Sequence, residues 1–402
     1  MGLIQRLKTI GPGAMVAAAF IGPGTVTTAS ITGARFGYAL VWTIVFSIIA
    51  TIILQEMSAR LGLISRNGLG EALHEQFDNE FAKWGSIVLV VAAIGVGTAA
   101  YEAGNIVGGA AGLETITGVD SMVWAILITI VAGALLYTGK YAVIERALVG
   151  LVIIMAVAFV GSAVLIGPDL GALALGFVPG IPEGALILVT GLIGTTVVGY
   201  NLFLHASNVQ ERWAGPENLG DCRTDTVLSI IVGGIITIAV LITAAAAFPT
   251  GTAISNVGRM AEQLRPIAGP YATVLFSIGL FAAGFTSATT APLAGAYATA
   301  GALGWETDLA GTRFRAIWGV IILVGFISAL LGGSPVEIIL FAQVINGILL
   351  PIVAVFLIVA MNSDKLLDDY TNNTPANVLG GIVVIIVVWL GIRTLLTVLG
   401  VL

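Results

Sequence analysis

Charged side chains and cysteine are scarce in this sequence. Only 9% of its 402 residues are charged, whereas 58% are hydrophobic. Soluble globular domains carry about 25% charged residues, so the low charge excludes a soluble protein and predicts an integral membrane protein. The single cysteine, Cys222, excludes an intramolecular disulfide framework.

Signatures of cofactors, catalysis and nucleic-acid binding are also missing. Nothing resembles a zinc or haem motif, and no set of nucleophile and base points to an enzyme. No basic patch with interleaved aromatic residues indicates nucleic acid. We therefore expect no cofactor, no catalytic residues and no nucleic-acid partner, which leaves the lipid bilayer, a small-molecule or ion substrate and protons. The sequence leaves the oligomeric state open.

The sequence does contain many long apolar segments. A membrane span needs about 20 mainly apolar residues, and this rule predicts an all-α membrane protein with eleven spans. We place them at 12–35, 39–60, 86–113, 121–138, 146–166, 186–209, 225–248, 271–300, 315–333, 336–360 and 375–395. The loop "RLGLISRNGLGEALHEQFDNE" has a helical apolar pattern, which predicts a helix along the membrane surface.

The basic residues predict the orientation of the chain. With the N-terminus inside, twelve Lys and Arg residues fall on the cytoplasmic side and four on the outside, namely Arg35, Arg259, Arg265 and Arg393. Cytoplasmic loops carry the excess of Lys and Arg. We therefore expect a multi-pass protein of the plasma membrane with a cytoplasmic N-terminus and, after eleven spans, an external C-terminus.

Two spans are interrupted at corresponding positions. Span 1 contains Gly22-Pro23-Gly24, and span 6 contains a break near Gly199. Interrupted helices in matching halves indicate the binding site of a transporter. Because the breaks are five spans apart, we predict one transport domain, 1–402, with inverted repeats at 12–166 and 186–360 and an additional span at 375–395.

Several segments resemble the NRAMP family of proton-coupled divalent-metal transporters. "FGYALVW" and "LQEMSARLG" are similar to the first two spans of that family, and "GTTVVGYNLFLHAS" to its span 6. "GFTSATTAPLAGA" and "AQVINGILLP" are similar to its spans 8 and 10. The resemblance covers most of the chain and implies a LeuT-like fold, in which spans 1 and 6 are unwound around a central site and access alternates between the two sides of the membrane.

The resemblance fails where the family binds its metal. The family's Asp-Pro-Gly-Asn of span 1 is Gly22-Pro23-Gly24-Thr25 here, and its Met-Pro-His of span 6 is Val198-Gly199-Tyr200. A metal-binding alanine of the family corresponds to Thr195. The carboxylate, carboxamide, thioether and imidazole of the family's site are therefore absent.

Spans 3 and 10 also depart from the family. The acidic pair of span 3 reads as Glu102 and Asn105, so that one acid is kept. The glutamine of span 10 corresponds to Leu349, although Gln343 and Asn346 share a face of the same span and could reach the pocket.

The altered site favours an organic substrate over a transition metal. Desolvating a divalent ion requires compensating charge, whereas unwound helices offer free N–H groups that bind carboxylates. Our main prediction is a secondary transporter of a small polar or zwitterionic solute, coupled to protons. Its predicted substrate-binding residues are Gly22, Gly24, Thr25, Thr195, Val198, Gly199, Tyr200 and Asn346, and no residue is predicted as a metal ligand.

Two residues are candidates for proton coupling. Glu102 lies midway along span 3, where burial favours the protonated form and suits a proton carrier; the alternative is a permanently protonated group that bonds a neighbouring span. His205 lies on the polar face of span 6 and could pass protons, or it could only join two helices.

Two other functions compete with the organic-solute prediction. A divalent metal ion, either Mn²⁺ or Mg²⁺ with much of its water shell, would keep the family's activity, because a hydrated ion needs fewer protein ligands. A sensor that does not transport is the other alternative, but the sequence shows no soluble output domain.

Overall fold

Helices account for nearly all of the chain in the computed structural model. The structure describes residues 21–139, 142–331 and 333–401, and the side chains of 142–146 lie outside this description. The membrane-spanning helices are, in order of the chain, Pro23–Phe36, Val41–Ser65, Glu80–Thr117, Ser121–Thr138, Ala142–Ile166, Leu186–Thr196 with Gly199–Arg212, Leu219–Ala247, Ala272–Ala302, Thr312–Leu330, Pro335–Met361 and Thr374–Val398. We call them spans 1 to 11, and the two halves of span 6 are spans 6a and 6b.

Shorter helices lie in the connections. They are Leu69–Gln76, Leu170–Leu175, Val257–Met260, Arg265–Ala268 and Asp364–Leu367, together with 3₁₀ turns at Pro216–Asn218, Ala261–Leu264, Gly269–Tyr271 and Asp368–Tyr370.

The predicted spans are confirmed. Spans 2 to 11 give ten segments that are long and apolar enough to cross a membrane. Span 1 falls short of that length because its first half, 12–20, lies outside the described residues. The observed helices extend beyond the predictions mainly in span 3, which is 38 residues long. The boundaries of the two predicted repeats stay predictions.

Span 3 lies at the centre of the helix bundle. It packs most extensively against span 8 and then against span 10. Glycine permits this approach: a Cβ atom placed at Gly284 of span 8 would lie 2.6 Å from the carbonyl oxygen of Asn105 in span 3. Small residues allow such close packing between membrane helices. Glu102 is therefore fully buried in the middle of the protein.

Polar and small residues of span 2 pack against span 6b, and we call this contact the seam. The Ser58 hydroxyl donates to the carbonyl of Leu202, and Gln55 bonds His205. One turn later Gly62 lies against the backbone of Ala206, where a Cβ atom would be 2.8 Å from the Ala206 Cα. These contacts recur every three or four residues along one face of span 2, so span 6b is held between Leu202 and Ala206.

The helix predicted in the loop after span 2 exists, but it packs on protein. Leu69–Gln76 buries one face, including Leu69 and Leu73. His74 Nδ1 lies 3.1 Å from the carbonyl oxygen of Ala302 at the end of span 8. Burial raises the pKa of Glu71 in the same helix. The apolar face of this helix therefore packs against spans 8 and 10.

At the end of span 2, Arg60 binds segments that are distant from it in the sequence. Its guanidinium lies 3.2 Å from the carboxylate of Glu56, as its i,i+4 spacing predicts. It also donates to the carbonyl of Tyr370 at 2.8 Å and to the amide oxygen of Asn372 at 2.6 Å. Arg223 of span 7 binds Glu56 at 2.8 Å. The buried Arg60 thus connects span 2 with the loop before span 11, and its partner Glu56 connects span 2 with span 7.

We predict that Gly62→Val destabilises the protein. Its side chain would meet the backbone of span 6b, which cannot move aside as a flexible side chain can. Overpacking of this kind costs about 1–3 kcal/mol. The control is Gly133→Val in span 4, where a Cβ atom meets nothing within 4 Å. Thermal unfolding in detergent should show a lower midpoint for Gly62→Val; equal midpoints for the two variants would contradict the seam.

Candidate functional site

The unwound end of span 1 faces the break in span 6. Span 1 begins at Pro23 behind the extended Gly22, and span 6 is non-helical at Val197 and Val198. The Oγ1 atoms of Thr25 and Thr195 lie 2.8 Å apart in a buried hydrogen bond. The start of the helix Pro23–Phe36 and the break of span 6 therefore meet at a pair of hydroxyl groups.

Side chains from three other spans bind the carbonyls at the end of span 6a. The last carbonyls of a helix have no partner within it. Asn346 of span 10 donates to Gly194 O, and Tyr101 of span 3 donates to Thr195 O at 3.3 Å. Thr51 of span 2 reaches Thr196 O at a longer 3.4 Å. Three consecutive carbonyls of span 6a thus each accept a hydrogen bond from a different span.

The remaining space at the centre is small. A cavity of about 10 Å³ lies beside Gly199, Tyr200, Asn346 and Leu349, and this is about the room that one water molecule needs. Tyr200 packs edge to face on Tyr101, with ring centroids 5.4 Å apart. The site is therefore closed in this conformation.

Gln343 of span 10 adds a side chain that was not among the predicted substrate-binding residues. A Cβ atom at Gly24 would overlap the Gln343 amide, so the glycine makes room for it. The Nε2 atom donates to Ile339 O at 3.3 Å, whereas the buried Oε1 atom has no hydrogen-bond partner among the described residues. Its spacing of three residues from Asn346 was the signal available in the sequence.

The structure brings the predicted substrate-binding residues together. All eight are buried: Gly22, Gly24, Thr25, Thr195, Val198, Gly199, Tyr200 and Asn346. Their contacts with a substrate stay predictions. A Cβ atom at Gly199 would make only ordinary contacts of 3.6 Å or more. The break of span 6 lies just before it, at Val197 and Val198.

The two proton-coupling candidates lie on different helices. Glu102 follows Tyr101 in span 3, and neither of its carboxylate oxygens has a hydrogen-bond partner of good geometry in the described part of the chain. Asn105 interacts with it from the next turn. His205 Nδ1 lies 2.8 Å from Gln55 Oε1, whereas its buried Nε2 atom has no such partner among the same residues. Their roles in coupling stay predictions.

The chemistry of this site is that of neutral oxygen atoms. Within 21–139, 142–331 and 333–401, no three His, Cys, Asp or Glu side chains are grouped to hold a metal ion. Hydroxyl, amide and backbone oxygens converge instead, at two interrupted helices inside a bundle of membrane spans. This arrangement is typical of secondary transporters of LeuT-like fold.

Comparisons with known proteins agree with this class and define the family. The sequence profile of the Nramp family, described as natural resistance-associated macrophage protein-like, matches residues 13–397. The chain therefore belongs to the Nramp family, and the resemblance drawn from its motifs is confirmed.

Curated relatives match over almost the full length of the chain. A divalent metal cation transporter MntH from Klebsiella pneumoniae (strain 342) is 28% identical over 403 residues, covering 97% of this chain and 95% of the relative. The MntH of Yersinia pestis (strain Pestoides F) is 27% identical over 405 residues, covering 98% and 96%.

Solved structures establish the fold. A manganese transporter variant from Eremococcus coleocola superposes with a TM-score of 0.80 at 20% identity, covering 97% of this chain and 86% of that one. MhsT in complex with L-phenylalanine superposes with a TM-score of 0.61 at 14% identity, covering 94% and 98%. The LeuT-like fold is therefore confirmed.

We predict a measurable coupling between Thr25 and Thr195. Each Thr→Val substitution removes one partner of the buried hydroxyl pair while keeping the shape of the side chain. A hydrogen bond contributes about 1 kcal/mol, so the double variant should lose about that much less stability than the two single losses added together. Thermal unfolding of the four proteins measures this coupling. Strict additivity would mean that the two hydroxyls do not interact.

Proposed function

We propose that this protein transports a divalent metal cation that keeps part of its water shell, as Mg²⁺ does. The observation that carries the proposal is the set of neutral oxygens at the two breaks, formed by Thr25, Thr195 and Gln343. Hard oxygen ligands suit Mg²⁺, Ca²⁺ and Mn²⁺, and Mg²⁺ retains several waters because it loses them reluctantly. The water shell would supply the ligands that the protein lacks.

The comparisons favour this alternative over the organic solute that we predicted first. The curated relatives are named as divalent metal cation transporters, and a structural neighbour is a manganese transporter. They give no support for an organic substrate. The absence of a thioether and an imidazole at the site argues for a harder, more hydrated ion than the transition metals.

A cation needs a rearrangement of the closed site. The cavity beside Tyr200 has room for about one water, so Thr25 and Thr195 must separate before a hydrated ion enters. Their separation would also move the end of span 1 away from span 6, which is the movement that alternating access requires. We infer that the hydroxyl pair stabilises the closed conformation.

Glu102 is the group that we assign to the coupled proton. It is fully buried, and no Lys, Arg or His lies in an ion pair with it in the described ranges. A buried carboxyl without a cation is stable when protonated, so its deprotonation has to accompany the arrival of a positive charge nearby. His205 could exchange protons along span 6b.

We place this activity in one transport domain, 1–402, with repeats at 12–166 and 186–360 and the extra span at 375–395. The location we propose is the plasma membrane, with the N-terminus in the cytoplasm and the C-terminus outside. The distribution of Lys and Arg supports this orientation.

Gly22→Asp should strengthen binding of Mg²⁺. The substitution puts a carboxylate at the end of span 1, where an extended backbone accepts any residue. Attraction to a divalent ion of about 1.4 kcal/mol already gives tenfold tighter binding. Calorimetry with Mg²⁺ and Mn²⁺ measures the change, and the neutral Gly22→Asn variant is the control for shape.

Weaker Mg²⁺ binding by Gly22→Asp than by Gly22→Asn would contradict the proposal. So would a wild-type protein that binds neither ion but is stabilised against heat by an amino acid, because a ligand of the folded state raises its apparent stability. Mn²⁺ is expected to show no saturable binding in the micromolar range, given the missing soft ligands.

Glu102→Gln should uncouple transport from protons. Glutamine imitates the protonated carboxyl, so Mg²⁺ flux down its own gradient into liposomes should persist. Acceleration by an inward proton gradient should vanish. Glu114→Gln, a partly exposed acid twelve residues later on the same span, is the control and should behave as wild type. Unchanged acceleration in Glu102→Gln would remove this residue from the mechanism.

A further inference from the structure

An apolar groove runs between spans 3 and 9 on the outer surface of the bundle. Its volume is about 620 Å³, and it extends from Ala99 and Val324 to Trp305 and Arg313. Val96 and Val320 in its walls are 55% and 58% exposed. An exposed apolar surface between two membrane spans faces the hydrocarbon of the bilayer.

The groove exists because its floor is built from small residues. Ala92, Gly95 and Ala99 follow one another along span 3, and Ala316 faces them from span 9. A Cβ atom at Gly95 would meet nothing within 4 Å. Spans 3 and 9 also pack against each other. The groove is therefore a surface depression between two helices in contact.

The positively charged side chain of Arg313 lies at one end of this groove. The guanidinium carbon of Arg313 lies 5.1 Å from the ring centroid of Trp305. Trp is enriched where membrane helices meet the headgroups. Arg313 is also in the first turn of span 9, whose N-cap Gly311 provides no side-chain cap, so the positive end of the helix adds to its charge.

The polar edge of Arg313 is available to a ligand. Among the described residues, no carboxylate lies within 4.0 Å of it, although Glu306 and Asp308 belong to the same loop. Arg315 differs, because it stacks on the Tyr137 ring at 4.3 Å and donates to the Tyr137 carbonyl at 3.2 Å. A cation–π contact occupies the face of a guanidinium and leaves its N–H groups free for phosphate oxygens.

We propose that an anionic phospholipid occupies this groove. One acyl chain lies along the small residues of span 3, and the phosphate receives the N–H groups of Arg313 above Trp305. The apolar walls alone would accept any lipid, whereas the uncompensated arginine at the end selects a negative headgroup. The groove shares no lining residue with the cavity beside Tyr200, and the proposal does not depend on the proposed function.

The chain contains an internal control for this site. Arg393 stacks on Trp389 at 5.2 Å, nearly the same geometry as Arg313 on Trp305. No groove of comparable volume is lined by Arg393 among the described cavities. Arg393→Gln therefore removes the same charge and the same stacking without touching the proposed lipid site.

Native mass spectrometry of delipidated protein in neutral detergent tests the proposal. Phosphatidylglycerol and phosphatidylcholine with identical acyl chains are titrated separately. Wild type and Arg393→Gln should bind phosphatidylglycerol about fivefold more tightly than phosphatidylcholine, and Arg313→Gln should lose this preference. Gly95→Leu, which fills the groove, should weaken both lipids, whereas Gly133→Leu on span 4 should change neither.

Several results would overturn the proposal. They are equal binding of the two lipids by wild type, a preference that survives in Arg313→Gln, and lipid binding unaffected by Gly95→Leu. Protein dimers that disappear only in Gly95→Leu would assign the groove to a second copy of the chain. Circular dichroism and gel filtration verify folding, and Ala92→Leu replaces Gly95→Leu if that variant is misfolded.

Discussion

Backbone groups that lose their helical partners inside a membrane must find others within the protein, because lipid provides none. This constraint governs the centre of the structure. The break at Val197 and Val198 frees the last carbonyls of span 6a, and spans 2, 3 and 10 each supply one donor to them. The arrangement of four spans around one point follows from this requirement. An interrupted helix is therefore tolerable here only because the bundle surrounds it.

The same requirement explains why hydroxyl groups suit the site. Thr25 and Thr195 can donate to each other in the closed state and can turn their oxygens towards a ligand when the spans separate. A carboxylate in the same place would have to be protonated or paired with a cation in the closed conformation. The neutral hydroxyl pair needs neither, and Glu102 is the fully buried acid of the central span 3.

The sequence was sufficient for spans 2 to 11, the break in span 6 and the family. These features depend on composition, local pattern and motifs. Gln343 shows what was harder to predict, since its position depends on the missing side chain of Gly24 in a distant span. The helix Leu69–Gln76 was predicted, but its partners were not, because an apolar face alone does not say whether lipid or protein covers it.

The choice of substrate shows another limit of the sequence. The lost ligands correctly indicated a site without carboxylate or thioether groups, but we gave the positive ends of the half-helices too much weight. In the structure, hydroxyl and amide oxygens stand beside those helix ends, and Gln343 Oε1 has no partner among the described residues. A site with both hydrogen-bond donors and acceptors does not show whether its substrate is a cation or an anion, so the comparison with relatives was needed.

The contacts of Arg60 have a consequence for the biosynthesis of the protein. Its partners Tyr370 and Asn372 lie 310 and 312 residues later in the chain. Span 2 precedes both partners in the chain, so until the ribosome has completed almost the whole polypeptide the guanidinium of Arg60 has Glu56 as its partner. Arg60 can therefore make its full set of native contacts only after synthesis has passed span 10. A nascent chain that stops earlier pairs Arg60 with Glu56 but lacks the two contacts from the loop before span 11.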